Sequence, residues 1–277
     1  MPMTRDWIRH IDRLIQQRPV SRSALEAFRG IALLMEEARP EAMPVHVEQE
    51  VRDVQQKEGF PLFSREDLPL DLKTAGDLLK KFLAHLSRSD RDDARGLEKA
   101  LKKAESAGDW TEGLFVSILK QDDQTVAEMG RDVNLDPGVL TFLGKTALRP
   151  SMDRLREDAA PYLDKTGWDK GYCPLCGSQP DMACLKKTGK RYLHCELCGE
   201  KWSYPRIQCP FCNTVEQEKL GYFEAEEEEG LRVYFCRECH RYIKTVDMRA
   251  FEETAPLEVE GLATLHLDVL AQENGFR

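Results

Sequence analysis

No cysteine occurs in the first 172 residues, although the chain of 277 residues has nine; all nine fall between Cys173 and Cys239. Long apolar runs are also missing. The longest aliphatic stretches resemble Ile31-Ala32-Leu33-Leu34-Met35, far short of the roughly 20 apolar residues of a membrane helix. The N-terminus, Met1-Pro2-Met3-Thr4-Arg5-Asp6-Trp7, lacks the apolar core of a secretory signal. Positive charge is in deficit, with 40 basic against 49 acidic side chains and a net charge of −9. Residues 1–168 carry 26 basic and 30 acidic side chains, and residues 169–277 carry 14 and 19, so neither half is a basic module and a broad grip on nucleic acid is not expected. There is no phosphate-binding Gly-rich loop, no His-Glu-x-x-His and no Gly-x-Ser-x-Gly. A catalytic set is therefore not expected, and the chain is read as a non-enzyme. These absences predict a soluble, cytoplasmic protein without membrane insertion. In a reducing cytosol, clustered thiols read as metal ligands rather than disulfides.

What is present divides into two parts. The first ~165 residues carry helical patterns. Ser23-x-x-Glu26 has the form of a capping box for a helix over 23–38, with Leu25, Phe28, Ala32 and Met35 on one face. A polar helix is expected over 45–58, followed by the connector Gly59-Phe60-Pro61-Leu62-Phe63 with exposed apolar side chains. Thr74-x-x-Asp77 is read as the cap of a helix over 74–87, with Leu78, Leu79, Phe82, Leu83 and Leu86 buried. Further helices are expected over 91–106, near 111–121 and near 124–130. Asp136-Pro137 starts another, with Val139, Leu140, Phe142, Leu143 and Leu148 on its core face; Pro150 ends or kinks it, and 151–163 continue helically.

Beyond Gly167, Gly171 and Pro174 the pattern changes to short β-like runs at 182–187, 190–194, 231–235 and 241–247. The acidic run 226–230 reads as a solvated hairpin tip. A last helix is expected over about 257–274, with Leu262, Leu265, Val269 and Leu270 partly on one face. The expected fold class is α+β. The expected division is a helical domain at 1–168, four-cysteine modules at 169–207 and 208–250, and a helical tail at 251–277.

Four Cys-x-x-Cys pairs carry the chemistry: Cys173/Cys176, Cys195/Cys198, Cys209/Cys212 and Cys236/Cys239. Two intervening residues let a tight knuckle present both sulfurs to one ion, and four such pairs imply two four-thiolate sites. The residue after each pair is Gly177, Gly199, Asn213 or His240, all types that accept the positive φ a knuckle demands. Eighteen residues separate Cys176 from Cys195, 23 separate Cys212 from Cys236, and only ten separate Cys198 from Cys209. This favours consecutive sites, 173/176/195/198 and 209/212/236/239, with a cross-braced pairing (first with third, second with fourth) as the alternative. Sulfur tetrahedra suit zinc or iron equally. Both sites are closed by four thiolates, unlike catalytic zinc with its open position. Cys184, the odd thiol, is expected to be buried and inert. His194 and His240 flank ligand cysteines without being ligands. Arg206 and Arg237 are read as solvated or ion-paired, with contact to an anionic partner as the sharper alternative. Trp202 and Tyr204 are expected to pack over the first site.

The runs Asp136-Pro137-Gly138-Val139-Leu140-Thr141-Phe142, Leu148-Arg149-Pro150, Gly171-Tyr172-Cys173-Pro174-Leu175-Cys176-Gly177-Ser178 and Arg191-Tyr192-Leu193-His194-Cys195-Glu196-Leu197-Cys198, together with Trp202, resemble the FdhE family of formate dehydrogenase accessory proteins. Arg206 three residues before Cys209 and the closing Leu262-Ala263-Thr264-Leu265-His266-Leu267-Asp268 are also similar. The resemblance covers about 136–276. It implies an all-helical N-terminal domain, two rubredoxin-like (zinc-ribbon-like) β modules and a C-terminal helix. It also implies two ions, iron or zinc, held by the eight paired cysteines, and a cytoplasmic maturation factor that binds the catalytic subunit of formate dehydrogenase. Two other readings remain at this stage, a rubredoxin-like electron-transfer protein and a zinc-ribbon nucleic-acid binder. The −9 charge opposes the second.

Overall fold

The computed structural model describes residues 5–89, 91–106, 108–225 and 228–277. The chain forms two compact units. One comprises Ala27–His46 and Ser64–Ala160; the other comprises Asp6–Glu26, Val47–Phe63 and Pro161–Arg277. The order of elements is helices, then a mixed six-stranded sheet, then helices, the α+β class that the sequence patterns predict.

The first unit is helical. It contains most of α2 (Arg22–Glu37), then α4 (Leu72–Leu86), α5 (Ala94–Ser106), α6 (Gly108–Lys120), α7 (Asp123–Val133) and α8 (Pro137–Ala159). Leu25, Phe28, Ala32 and Met35 of α2 are buried as their spacing predicts, and so are Leu78, Leu79, Phe82, Leu83 and Leu86 of α4. Each large side chain so buried contributes roughly 1.5–3 kcal/mol. α8 is buried through Leu140, Leu143 and Leu148, but Phe142 is exposed and meets the ring of Phe28 at 6.1 Å. Gly144 lets α6 approach α8, since a Cβ there would lie 2.3 Å from Ile118.

Several helix starts differ from the sequence reading. Asp71, not Thr74, caps α4: its carboxylate accepts from the Thr74 backbone N–H at 3.0 Å, so the helix starts at Leu72. The turn Pro19–Ser21 runs directly into α2, which places Ser23 inside the helix rather than at its cap. Asp136 does cap α8, accepting from Gly138 N–H at 2.7 Å, with Pro137 as the first helical residue. Pro150 lies within α8 without ending it.

The second unit contains α1 (Arg5–Gln17), α3 (Gln49–Glu58), the sheet, α9 (Leu257–Leu262) and α10 (Leu265–Glu273). The strands are β1 (Pro180–Leu185), β2 (Arg191–Cys195), β3 (Lys201–Ser203), β4 (Leu220–Glu224), β5 (Leu231–Cys236) and β6 (Tyr242–Asp247). Their order is β3-β2-β1-β6-β5-β4. β1 and β6 pair in parallel, with Met182 opposite Lys244 and Cys184 opposite Val246; the other neighbours are antiparallel. One face of this sheet packs a core of Met182, Cys184, Val233, Val246, Leu257 and Leu267.

The expected single C-terminal helix is two. Buried Lys244 reaches up from β6, and its ammonium donates to the carbonyls of Gly261 (2.8 Å) and Thr264 (3.3 Å) and to Asp268 (2.7 Å). It satisfies the carbonyls that end α9, so the chain turns there instead of continuing. In the acidic loop, Glu226 and Glu227 lie outside the described residues. Glu228 is half-buried against His266 at 2.5 Å, and Gly230 takes φ +89° to enter β5.

Candidate metal centres

Each knuckle is built by the same local bonds. The first cysteine's N–H donates to the carbonyl five residues on: Cys173 to Ser178 at 2.8 Å, Cys195 to Glu200 at 2.9 Å, Cys209 to Thr214 at 3.0 Å and Cys236 to Arg241 at 2.9 Å. In the first three, the residue after the second cysteine donates back to the first cysteine's carbonyl at 2.9–3.1 Å. Closing so tight a turn requires positive φ at that residue. Gly177, Gly199, Asn213 and His240 have φ of 72°, 69°, 62° and 56°, as their identities predict.

The sulfurs form two clusters. Cys173, Cys176, Cys195 and Cys198 make one, Cys209, Cys212, Cys236 and Cys239 the other, and within each the four Sγ atoms lie within 4.8 Å of one another. The grouping is consecutive along the chain rather than cross-braced. Neighbouring sulfurs are 3.5 Å apart in the first cluster and 3.7 Å in the second, too far for a disulfide of about 2.05 Å. An ion bonded to four sulfurs at about 2.3 Å sets tetrahedral edges of about 3.8 Å, so the donors fit one four-coordinate ion per cluster. Burial pushes the Cys173 and Cys198 thiols well up, and it raises Cys209 as well. Thiol hydrogen bonds, led by that from Cys173, hold Cys176 down. Sulfurs so crowded and buried ionise together only beside a cation, which is the charge a divalent ion supplies.

The surroundings of the clusters differ. All four cysteines of the first are buried. The connector at 59–63 runs along its first knuckle: Leu62 N–H donates to Pro174 O and Phe63 N–H to Leu175 O, both at 2.9 Å. Leu62 is buried, while Phe60 is exposed as expected of this connector. Trp168 donates to Tyr172 O at 2.9 Å, and Trp202, fully buried, donates to Lys170 O at 3.0 Å. His194 is buried between two carboxylates. Its Nδ1 is 2.7 Å from Asp181, and its Nε2 is 3.0 Å from Glu258 but off the hydrogen-bond axis. Burial alone would lower its pKa, but the two carboxylates overcome this and raise it to about 9.

In the second cluster Cys209 and Cys236 are buried, while Cys212 and Cys239 are only half-buried. Tyr204 belongs here and not to the first site. Its hydroxyl is 3.1 Å from Cys209 O and from Asn213 Oδ1. Trp202 is the middle residue of β3 and Tyr204 follows the strand directly. Arg241 lies over the Phe211 ring at 3.8 Å, and Arg237 over Phe235 at 5.0 Å with Nη1 donating to Glu218 O. Arg206 is exposed and 3.5 Å from the Tyr234 hydroxyl. His240 contributes its backbone, accepting from Arg277 N–H at 2.8 Å. Cys184 belongs to neither cluster. It is buried in the sheet core, and burial raises its pKa.

Comparison with known families agrees with this division of the cysteines. The family model described as "FdhE, central domain" matches residues 172–206, and "FdhE, C-terminal domain" matches residues 207–277. Residues 172–277 are thus similar to the central and C-terminal domains of the FdhE family. An FdhE homolog of Aquifex aeolicus is 38% identical over 113 residues, which is 39% of this chain and 40% of that protein. Those of Stutzerimonas stutzeri and Haemophilus ducreyi are 29% identical over 153 residues and 30% over 158, covering 53% and 56% of this chain and 48% and 50% of theirs. The chain thus matches about half or less of the length of these FdhE relatives. The crystal structure of the FdhE protein from Pseudomonas aeruginosa has the same fold, with a TM-score of 0.68 at 22% identity over 100% of this chain and 95% of that one.

Proposed function

We propose that this chain is a non-catalytic accessory protein in the making of active formate dehydrogenase, binding that enzyme's catalytic subunit in the cytoplasm. The observation that carries this reading is the pair of four-sulfur clusters inside the segment matched by the FdhE domains. Each cluster holds one ion, iron or zinc, through Cys173, Cys176, Cys195 and Cys198 and through Cys209, Cys212, Cys236 and Cys239. Sites closed by four thiolates leave no position for substrate or activated water, which supports a scaffold rather than a hydrolase. In this reading residues 1–168 provide the scaffold or partner surface, 169–207 and 208–250 are the metal modules, and 251–277 form a tail over them. Among the described residues no helix is long and apolar enough to cross a membrane.

The test is recovery of the catalytic subunit with the tagged chain, and its loss when one cysteine pair is replaced by serine. Normal formate dehydrogenase activity in a strain lacking this chain would sink the proposal. A second reading, electron transfer of rubredoxin type, draws on the half-buried Cys212 and Cys239, because an accessible sulfur gives an electron a short path out. It requires iron with a reversible one-electron couple, and a colourless, zinc-only preparation from native cells excludes it.

A further inference from the structure

The four knuckles are not closed alike. In the first three, the residue after the second cysteine returns its N–H to the first cysteine's carbonyl: Gly177 to Cys173 at 2.9 Å, Gly199 to Cys195 at 3.1 Å and Asn213 to Cys209 at 3.0 Å. Among the described residues the fourth has no such bond from His240 to Cys236. Another segment holds that turn instead. On the exit of the knuckle, Arg277 N–H donates to the His240 carbonyl at 2.8 Å. On its entry, the Phe276 ring stacks on Phe235, the residue before Cys236, with centroids 4.5 Å apart and planes 20° from parallel. Segment 275–277 thus grips both arms of the fourth knuckle.

Local geometry aims this segment. Gly275 takes φ +82° after α10. Its N–H donates to Gln272 O at 2.9 Å, and Phe276 N–H donates to Ala271 O at 3.0 Å. Those two bonds are the Schellman closure of a helix, and they turn the chain back onto the knuckle. On the receiving side, Gly221 pairs with Phe235 across β4 and β5, and a Cβ there would lie 2.4 Å from the Phe235 ring. The missing side chain gives that ring its place. Cys239, in the turn so held, is one of the two half-buried cysteines. One backbone bond and one ring stack are weak enough to part while the sheet stays folded.

We infer that segment 275–277 is a latch on the second metal site. Seated, it supplies from outside the restraint that the other three knuckles have within themselves, and it keeps Cys239 on the ion. Lifted, it frees the His240 turn, and the ion exchanges with competing thiols or chelators. The latch touches only the fourth knuckle's two arms, so it makes the second site the exchangeable one and leaves the first closed. The inference rests on the reading that the second cluster holds an ion.

The experiment loads the 277-residue chain with cadmium-113 and follows the loss of each resonance to EDTA, with Cys239→Ser identifying the resonance of the second site. Phe276→Ala removes the ring stack. Gly275→Ala strains only the turn, because a Cβ there meets nothing within 4 Å. In both variants the second ion should leave faster, about tenfold in Phe276→Ala, while loss of the first is unchanged. Phe276→Tyr, which keeps the ring, should restore the slow rate. Release of the second ion unchanged in both variants, equal acceleration at both sites, or release from Phe276→Tyr as fast as from Phe276→Ala overturns the latch. Absence of a second ion in the unaltered chain overturns the latch together with the reading beneath it.

Discussion

The two cysteine clusters share one Cys-x-x-Cys knuckle, yet they sit in opposite electrostatic settings. The first is wholly buried, and its charged neighbour is His194 held between Asp181 and Glu258. The second leaves Cys212 and Cys239 half-buried and is surrounded by Arg191, Arg206, Arg237 and Arg241. Identical local chemistry thus yields one site sealed into the sheet unit and one that opens toward cationic and aromatic surface. The difference lies in what the sheet and the connectors bring to each knuckle, because all four close with the same bond from the first cysteine's N–H.

The largest expected effect tests that difference through the ions. Structural zinc in small finger peptides is worth roughly 10–16 kcal/mol, so Cys195→Ser should release the first ion and cost several kcal/mol of stability. Cys239→Ser should release the second ion at a smaller cost. In the unaltered chain, chelator should take the ions in two phases, the second site's first. Metal counting with urea unfolding reads both quantities. Simultaneous release, or equal losses in the two variants, would break the comparison.

The next effect belongs to His194 alone. Its folded pKa of about 9 lies above the 6.5 of an ordinary imidazole, so the charged imidazole favours the folded state. That contribution is fully present below about pH 6.5 and fades as pH rises through about 9. The size is on the order of a few kcal/mol for a shift of this extent. His194→Gln should be less stable than the unaltered chain at pH 6, with the gap closing toward pH 10. Urea midpoints across that range measure it, and a gap independent of pH would show that the two carboxylates do not hold a charged ring.

What could be read from the sequence was local. The knuckles were legible because four residues and one positive φ define them, and the φ values at Gly177, Gly199, Asn213 and His240 follow from residue type. The stripes of α2 and α4 were legible from periodicity. The sheet was not, since β1 pairs with β6 across some sixty residues of sequence, and nothing local encodes that partner. β3 has three residues, too few to show alternation. α1 carried a readable signal in Trp7, Ile11, Leu14 and Ile15, all buried, at i, i+4, i+7 and i+8. The partners of His194 come from residues 181 and 258, and the bonds to the first knuckle from the connector at 59–63. Only the folded chain brings these together.

A smaller effect probes a close approach between the segment before the first knuckle and the third knuckle. A Cβ at Gly171 would lie 1.8 Å from the carbonyl oxygen of Pro210, and a backbone atom cannot swing aside as a side chain can. Gly171→Ala should cost about 1–3 kcal/mol of overpacking strain and disturb the second site from a residue two positions before the first site's Cys173. Cadmium-113 spectra of the exchanged protein would show both resonances moving. A shift of one alone would mean that the sites are mechanically independent.

The smallest effect separates the clusters most cleanly. The Tyr204 hydroxyl is 3.1 Å from both Cys209 O and Asn213 Oδ1, so it braces the ends of the third knuckle. Burial raises its pKa to about 12, and it therefore remains a donor throughout the working range. Tyr204→Phe keeps the ring beneath Arg191 and removes only this brace, at a cost of about 1 kcal/mol. The second ion should then leave faster under chelator while the release of the first is unchanged. Because Asn213 holds φ at 62°, loosening its side chain also loosens the turn that aims Cys209 and Cys212 at one point. An unchanged release rate would place the rigidity of that turn in its backbone bonds alone.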